Sequence, residues 1–184
     1  MQQIKGSVVK SRLAFVEEHS GKDGVERVLA ALPEEDRRAL ASVITVKWYP
    51  LALGNRLDDA IVRVLGGGKP EFFERLGAAS ADKNLASVHK AFVTQGDPHA
   101  FLTRTPAIYS MYYEKGRREY KKTGERSAVL TTYDAESFSA PDCLTIVGWH
   151  RRALEMCGAR DVRVVEEECR SKGGAVCRYA LSWS

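Results

Sequence analysis

The four cysteines are the residues whose spacing comes nearest to chemistry. Cys169 and Cys177 flank Lys172-Gly-Gly174, a run that reads as the turn of a β-hairpin. With a three-residue loop, residue 171 faces 175 and Cys169 then stands directly opposite Cys177. Facing side chains on neighbouring strands have Cβ atoms roughly 4.5–5.5 Å apart, near enough to share a metal ion or to cross-link. Cys157, at the end of the preceding helix, offers a third thiolate, and Cys143 lies near the far end of that helix. Zinc asks for four such ligands in a tetrahedron, and no Cys-x-x-Cys pair occurs. Three uses stay open: a zinc site, an oxidative cross-link, or buried thiols without chemistry. A one-residue change of hairpin register would dissolve the facing pair.

Aromatic residues form a second candidate set. Trp48, Tyr49, Phe101, Tyr109, Tyr112 and Trp149, with Met111 and Tyr113 beside them, suit the lining of an apolar pocket. They suit an ordinary core as well. Other motifs fail on chemistry. Gly66-Gly-Gly-Lys69 is followed by Pro70 and preceded by a helix, whereas a phosphate loop needs a hydroxyl residue and a preceding strand. No nucleophile elbow, His-Glu-x-x-His or dinucleotide glycine fingerprint occurs, so nothing points to an enzyme. Glu166, Glu167 and Glu168 are consecutive, and on a strand they alternate faces instead of pairing. Lys115, Arg117, Arg118, Lys121 and Lys122 surround Tyr120 but are diluted by Glu114, Glu119 and Glu125. That run reads as a solvated edge strand that resists sheet-to-sheet pairing.

Composition narrows the class. The 184 residues are 44% hydrophobic and 28% charged, enough for one domain (1–184) that buries a core without disulfides. Charged residues interrupt every apolar run before the roughly 18–20 residues of a membrane span. The start, Met1-Gln-Gln-Ile-Lys-Gly6, has no apolar signal core, so a cytoplasmic chain with reduced thiols is expected. Twenty-eight basic against 24 acidic residues give +4, too mild and too interspersed to imply nucleic acid.

The elements that must position these residues fall into two halves. Residues 1–115 read as helical. Ser7 caps a helix carrying Val8, Val9, Leu13 and Val16 that closes near Gly21, and Val25, Val28, Leu29 and Leu32 follow at helical spacing. Pro33 and the acids after it open another helix. Residues 43–50 are a strand or an extended link. Leu57, Ile61, Val64 and Leu65 mark a helical stripe, Phe72, Phe73 and Leu76 a second, and Leu85, Val88 and Phe92 a third. Asp97-Pro98 and Thr105-Pro106 each read as a cap plus proline, hence two short helices. Residues 116–184 alternate: a hairpin over 117–122 and 127–133, a helix from Ser139 and Pro141 to Gly158, and a hairpin over 162–169 and 175–183. Gly148 inside that helix predicts a close approach to a neighbouring element. The class is α+β: an N-terminal helical layer on a small antiparallel sheet of hairpins with one long intervening helix.

The C-terminal third resembles a known family. Gly148-Trp149, Glu155-Met-Cys-Gly158, Val165-Glu-Glu-Glu-Cys169 and Gly174-Ala-Val-Cys-Arg-Tyr179 are similar to the 4-vinyl reductase type of small-molecule-binding domain. The whole chain resembles a paralogous family of uncharacterised proteins expanded in myxobacteria. Lys5-Gly-Ser-Val-Val9, Trp48-Tyr-Pro50, Arg75-Leu-Gly77, Asp97-Pro-His-Ala-Phe-Leu102 and Tyr112-Tyr113-x-x-Gly116 carry that likeness. It implies the fold shared by 4-vinyl reductase domains, haem-dependent nitric-oxide sensors and small transport-particle subunits, often with a lipophilic cavity between layers.

The implied role is a non-catalytic ligand-binding sensor or adaptor holding a small hydrophobic molecule in a pocket of at least roughly 300 Å³. The rival roles are a homodimeric interaction scaffold and a thiol- or zinc-dependent regulator using Cys157, Cys169 and Cys177. The nitric-oxide sensors need a proximal histidine and a Tyr-x-Ser-x-Arg clamp. No such clamp occurs, and His89 and His99 read as packed side chains, so no cofactor is expected and haem is set aside.

Overall fold

The computed structural model describes residues 2–87, 89–135 and 140–184. Val88 and Ser139, named above for a helix face and a helix start, lie outside the described residues. The chain opens on a short strand, β1 (Gln3–Lys5), paired antiparallel with β2 (Trp48–Pro50) so that Lys5 faces Trp48. Sequence pattern alone places no strand at residue 3, because three residues show no alternation.

Helix α1 (Gly6–Ala30) follows directly. Ser7 is not its cap. The free amides of Gly6 and Ser7 donate instead to the Lys47 and Thr45 carbonyls at 2.9 and 3.0 Å, so the 45–47 loop does the capping. Helical geometry does break at Gly21, where the sequence expects the first stretch to close. That residue takes φ 64°, ψ −170°, bends the chain, and helix resumes to carry Val25, Val28 and Leu29. Helices α2 (Glu34–Ala41), α3 (Leu51–Leu65) and α4 (Glu71–Ala86) come next. The α3 stripe turns Leu57 and Ile61 fully inward. Leu85 belongs to α4, whereas Phe92 ends a separate 3₁₀ turn, so the expected third stripe is split. Two short helices do follow, α5 (Pro98–Leu102) and α6 (Thr105–Tyr112). Asp97 caps the first by accepting from Ala100 N at 2.9 Å; Thr105 instead bonds the Leu102 carbonyl and lies inside α6.

The second half forms a four-stranded antiparallel sheet of β3 (Arg117–Gly124), β4 (Ser127–Tyr133), β5 (Arg163–Glu168) and β6 (Cys177–Ser182), ordered β3-β4-β6-β5. Between β4 and β5 runs α7 (Ala140–Met156). The fold is therefore mixed α+β, with a helical layer on an antiparallel sheet. Buried residues of both halves, from Val9 and Ile61 to Leu130 and Leu181, join one hydrophobic cluster.

Helices α4 and α7 cross with their backbones in contact. A methyl group on Gly148 would lie 1.9 Å from the Glu74 carbonyl oxygen, and one on Gly77 would lie 1.9 Å from that of Thr145. Only glycine fits at either place. Gly148 thus makes the close approach its position predicts, and Gly77 completes it from the other side. Among the described residues, no helix is long and apolar enough to cross a membrane.

Candidate functional site

A cavity of about 50 Å³ lies where α1, α4, α6 and α7 meet β3. Tyr109 and Tyr112 enter from α6, Trp149 and His150 from α7, Arg12 from α1 and Arg118 from β3. Local sequence explains how they arrive. Gly116 turns the chain from α6 into β3 at φ 86°, and the Tyr109 hydroxyl donates to the Lys115 carbonyl at 2.8 Å across that turn. Strand alternation then points Arg117 and Glu119 outward and Arg118 inward.

The polar groups of the wall are unequal. Arg12 is paired: its Nε donates to Asp58 Oδ1 at 2.8 Å, and its Nη1 bonds the Leu76 carbonyl at 3.1 Å and the Ser80 hydroxyl. Arg118, 8% exposed, makes no ion pair among the described residues, and its hydrogen-bond partners are neutral. Its Nε donates to Thr132 Oγ1 at 3.0 Å, its Nη1 to His150 Nε2 at 3.2 Å, and its guanidinium carbon lies 4.9 Å from the centre of the Tyr109 ring. Nη2 is buried and has no hydrogen-bond partner, and the same holds for the Tyr112 hydroxyl. His150 Nδ1 donates to the Ile146 carbonyl at 2.9 Å, which leaves Nε2 as the acceptor for Arg118. Burial, reinforced by the Arg118 charge, pulls the His150 imidazole down to about 3, so it is neutral; the Ile146 carbonyl offsets this only in part. Burial also raises the Tyr112 phenol, which stays protonated.

Of the six aromatic pocket candidates, Tyr109, Tyr112 and Trp149 line this cavity. Phe101 is fully buried behind Trp149, its ring centre 6.0 Å away. Trp48 and Tyr49 are elsewhere. Trp48 lies under the Lys5 ammonium at 3.7 Å in the β1–β2 ribbon, and the Tyr49 hydroxyl accepts from Ile44 N at 2.8 Å. The volume also departs from expectation: about 50 Å³ stands against the roughly 300 Å³ or more expected of a ligand pocket. Arg118 and His150 are among the wall residues that escape a reading by sequence. The basic run around Tyr120 hides Arg118 in a solvated strand, although period-two alternation separates it from Arg117 and Lys121. His150 sits beside Trp149 and one turn after Ile146, on a helix whose apolar line draws the eye first. His89 and His99 are packed: His89 stacks on Phe92, and His99 bonds the Tyr120 hydroxyl at 2.7 Å.

The thiols gather at the far end of the sheet. Cys143, Cys169 and Cys177 are buried with their sulfurs within 4.8 Å of one another, and Cys143 Sγ is 2.9 Å from Cys169 Sγ. Continuing the Glu168–Arg178 register puts Cys169 opposite Cys177. Cys157 is not with them. It follows α7, roughly 21 Å along the helix axis from Cys143, and its carbonyl accepts from Gly96 N at 2.8 Å. The reason is connectivity: β5 runs back antiparallel to α7 for roughly 20 Å and delivers the hairpin tip to the helix start. Burial raises the Cys157 thiol above its ordinary value.

Residues 4–184 match the family described as protein of unknown function (DUF2378). The chain belongs to that family. No curated protein matches it. Among solved structures, it is similar to a mutant of the Fe(II) unliganded H-NOX protein from K. algicida, at 13% identity and TM-score 0.75, covering 98% of this chain and 97% of that one. It is also similar to an H-NOX protein from S. oneidensis in the Fe(II)NO ligation state (11%, TM-score 0.74, 98% and 99% covered). A third match is a structure probing the function of haem distortion in the H-NOX family (12%, TM-score 0.73, 98% and 95% covered). At such identities the likeness shows the fold: this DUF2378 chain has the H-NOX architecture over nearly its whole length.

These matches overturn one expectation. The lack of a Tyr-x-Ser-x-Arg clamp sets haem aside, yet the matched structures include work on haem in the H-NOX family. Haem therefore returns as a candidate cofactor. The cavity wall suits it only in part: the Arg118 guanidinium can meet carboxylates, whereas both His150 nitrogens are already hydrogen-bonded and the Tyr112 phenol stays protonated. The space does not suit it, because about 50 Å³ admits a macrocycle only if the wall opens. No step is derived through haem.

Proposed function

We propose that this DUF2378 chain is a ligand-binding sensor domain whose ligand lies against Tyr112, Trp149 and His150. The observation that carries the reading is the cavity itself: an apolar, aromatic wall interrupted by buried polar groups without partners, on the H-NOX fold. Buried polar atoms in native proteins are nearly always satisfied, and those left open in a cavity mark where a ligand or water completes the bonding. Haem is the first ligand to test, since relatives of this fold are described with it. When bound, it would supply an iron that a small gas can ligate.

The test uses the full chain purified from cells given a haem precursor, and again after incubation with haemin. Native mass spectrometry is expected to find one small molecule per chain, and a Soret band identifies haem. Trp149→Ala is expected to weaken retention at least five-fold. Protein that carries no molecule, takes up no haemin and is stabilised by neither would overturn the reading.

A second reading rests on the thiols. Three sulfurs within 4.8 Å support a thiol- or metal-dependent regulator, with Tyr179 and Glu166 each presenting an unpartnered oxygen nearby. Elemental analysis and thiol titration before and after peroxide test it; absence of metal with unchanged thiols discards it.

A further inference from the structure

We infer that Arg118 anchors a carboxylate on the ligand of this cavity, so that the ligand class is an apolar body bearing one carboxylate. The inference rests on the ligand-binding reading above and goes further, to the chemistry of what is bound. Arg118 is 8% exposed, and its Nη2 has no partner. A guanidinium taken out of water at that depth is expensive unless an anion meets it. The chain supplies none among the described residues. Thr132 and His150 are neutral acceptors, and the Tyr109 ring gives a face, not a charge.

The comparison within the same cavity is what makes this specific. Arg12 reaches the space from α1 and is neutralised by Asp58 at 2.8 Å. Among the described residues, the cavity wall thus carries a single uncompensated positive charge, which calls for a monoanion. A phosphate ester near neutral pH would bring a second negative charge with nothing to meet it. A carboxylate suits these donors in kind: Arg118 Nη2 and the protonated Tyr112 hydroxyl are both buried and unpartnered, and both residues line this cavity, so two donors answer the two oxygens. Tyr109, Ile108, Ile146 and Trp149 leave an apolar surface for the remainder. His150 holds Arg118 Nη1 and so keeps the guanidinium from turning away.

The test titrates the full chain with straight-chain carboxylates from acetate to octanoate and with the matching primary amides, by calorimetry and thermal shift. Wild-type protein is expected to bind the best acid at least ten-fold more tightly than its amide. Arg118→Met is expected to bring that ratio within two-fold, and Arg118→Lys to keep part of it. A second arm compares haemin with its dimethyl ester, which separates a haem carboxylate from a free acid as the source. Equal binding of acid and amide by the wild type, or an acid preference that survives Arg118→Met, overturns the anchor. If no acid binds while native mass spectrometry still finds an uncharged occupant, the anchor falls and the sensor reading stands. If nothing binds at all, both fall.

Discussion

Arg12 and Arg118 end in one cavity, the first from the helical layer and the second from the sheet, and both are more than nine-tenths buried. Around Arg12 the chain provides everything: a carboxylate, a carbonyl and a hydroxyl. Around Arg118 it provides a hydroxyl, an imidazole and a ring face, and leaves one nitrogen open. The first end is complete as folded, and its charges offset each other in place. The second end is incomplete, so it costs stability in the free protein and gains most when an anion arrives. Burial alone does not separate structure from function; the bookkeeping of charge does.

Breaking the complete end has the largest expected effect. Asp58→Ala strands the Arg12 guanidinium and costs about 3–5 kcal/mol in urea unfolding; a loss below about 1 kcal/mol would show that the pair is solvated. The helix crossing that frames both ends comes next. In Gly148→Ala the added methyl must push Glu74 away, at a cost of about 3 kcal/mol, read as a lower urea midpoint with unchanged slope. An unaltered midpoint would mean that α4 and α7 part freely.

The third prediction concerns pH. His150 has a folded pKa of about 3, below its ordinary 6.5. The unfolded chain therefore binds the extra proton between those values. Its contribution is full above pH 6.5 and is lost as pH falls toward 3, by up to about 1.4 kcal/mol per pH unit. His150→Gln cannot titrate, so its stability profile between about pH 6.5 and 5 is expected to be shallower by roughly that slope. Parallel profiles would assign the proton elsewhere. The smallest effect is at the incomplete end. Arg118→Met removes an unpaired charge and is expected to change stability by less than about 1 kcal/mol in either direction. A large loss there would give Arg118 the same structural role as Arg12 and erase the contrast.

Much of the fold is legible because its signals are local. Residues 117–133 and 163–182 carry turn glycines between β-rich runs, and both hairpins form. Gly148 announces a close approach because an unforced glycine inside a helix otherwise costs up to ~1 kcal/mol. Signals that depend on a distant partner are not legible. The amides of Gly6 and Ser7 are capped by carbonyls at 45–47, which no reading of residues 1–10 could supply. Cys143, not Cys157, joins Cys169 and Cys177, yet chain length could have revealed it: a six-residue strand and a stretch of helix about fourteen residues long are nearly equal in reach. At the cavity, Tyr112 and Trp149 are legible as large rings. Arg118 is not, since composition reads an arginine as solvent-facing and only its place in the strand turns it inward.

The paired glycines have a mechanical corollary. With carbonyls of each helix lodged against the other's bare Cα, α4 and α7 act as a single welded plank that neither slides nor spreads. Any swelling of the interior then falls to the other walls, α1 and the eight-residue α6, and the latter is continuous through Gly116 with the sheet's outer strand. An occupant arriving beside Tyr112 would therefore be reported as a tug on β3.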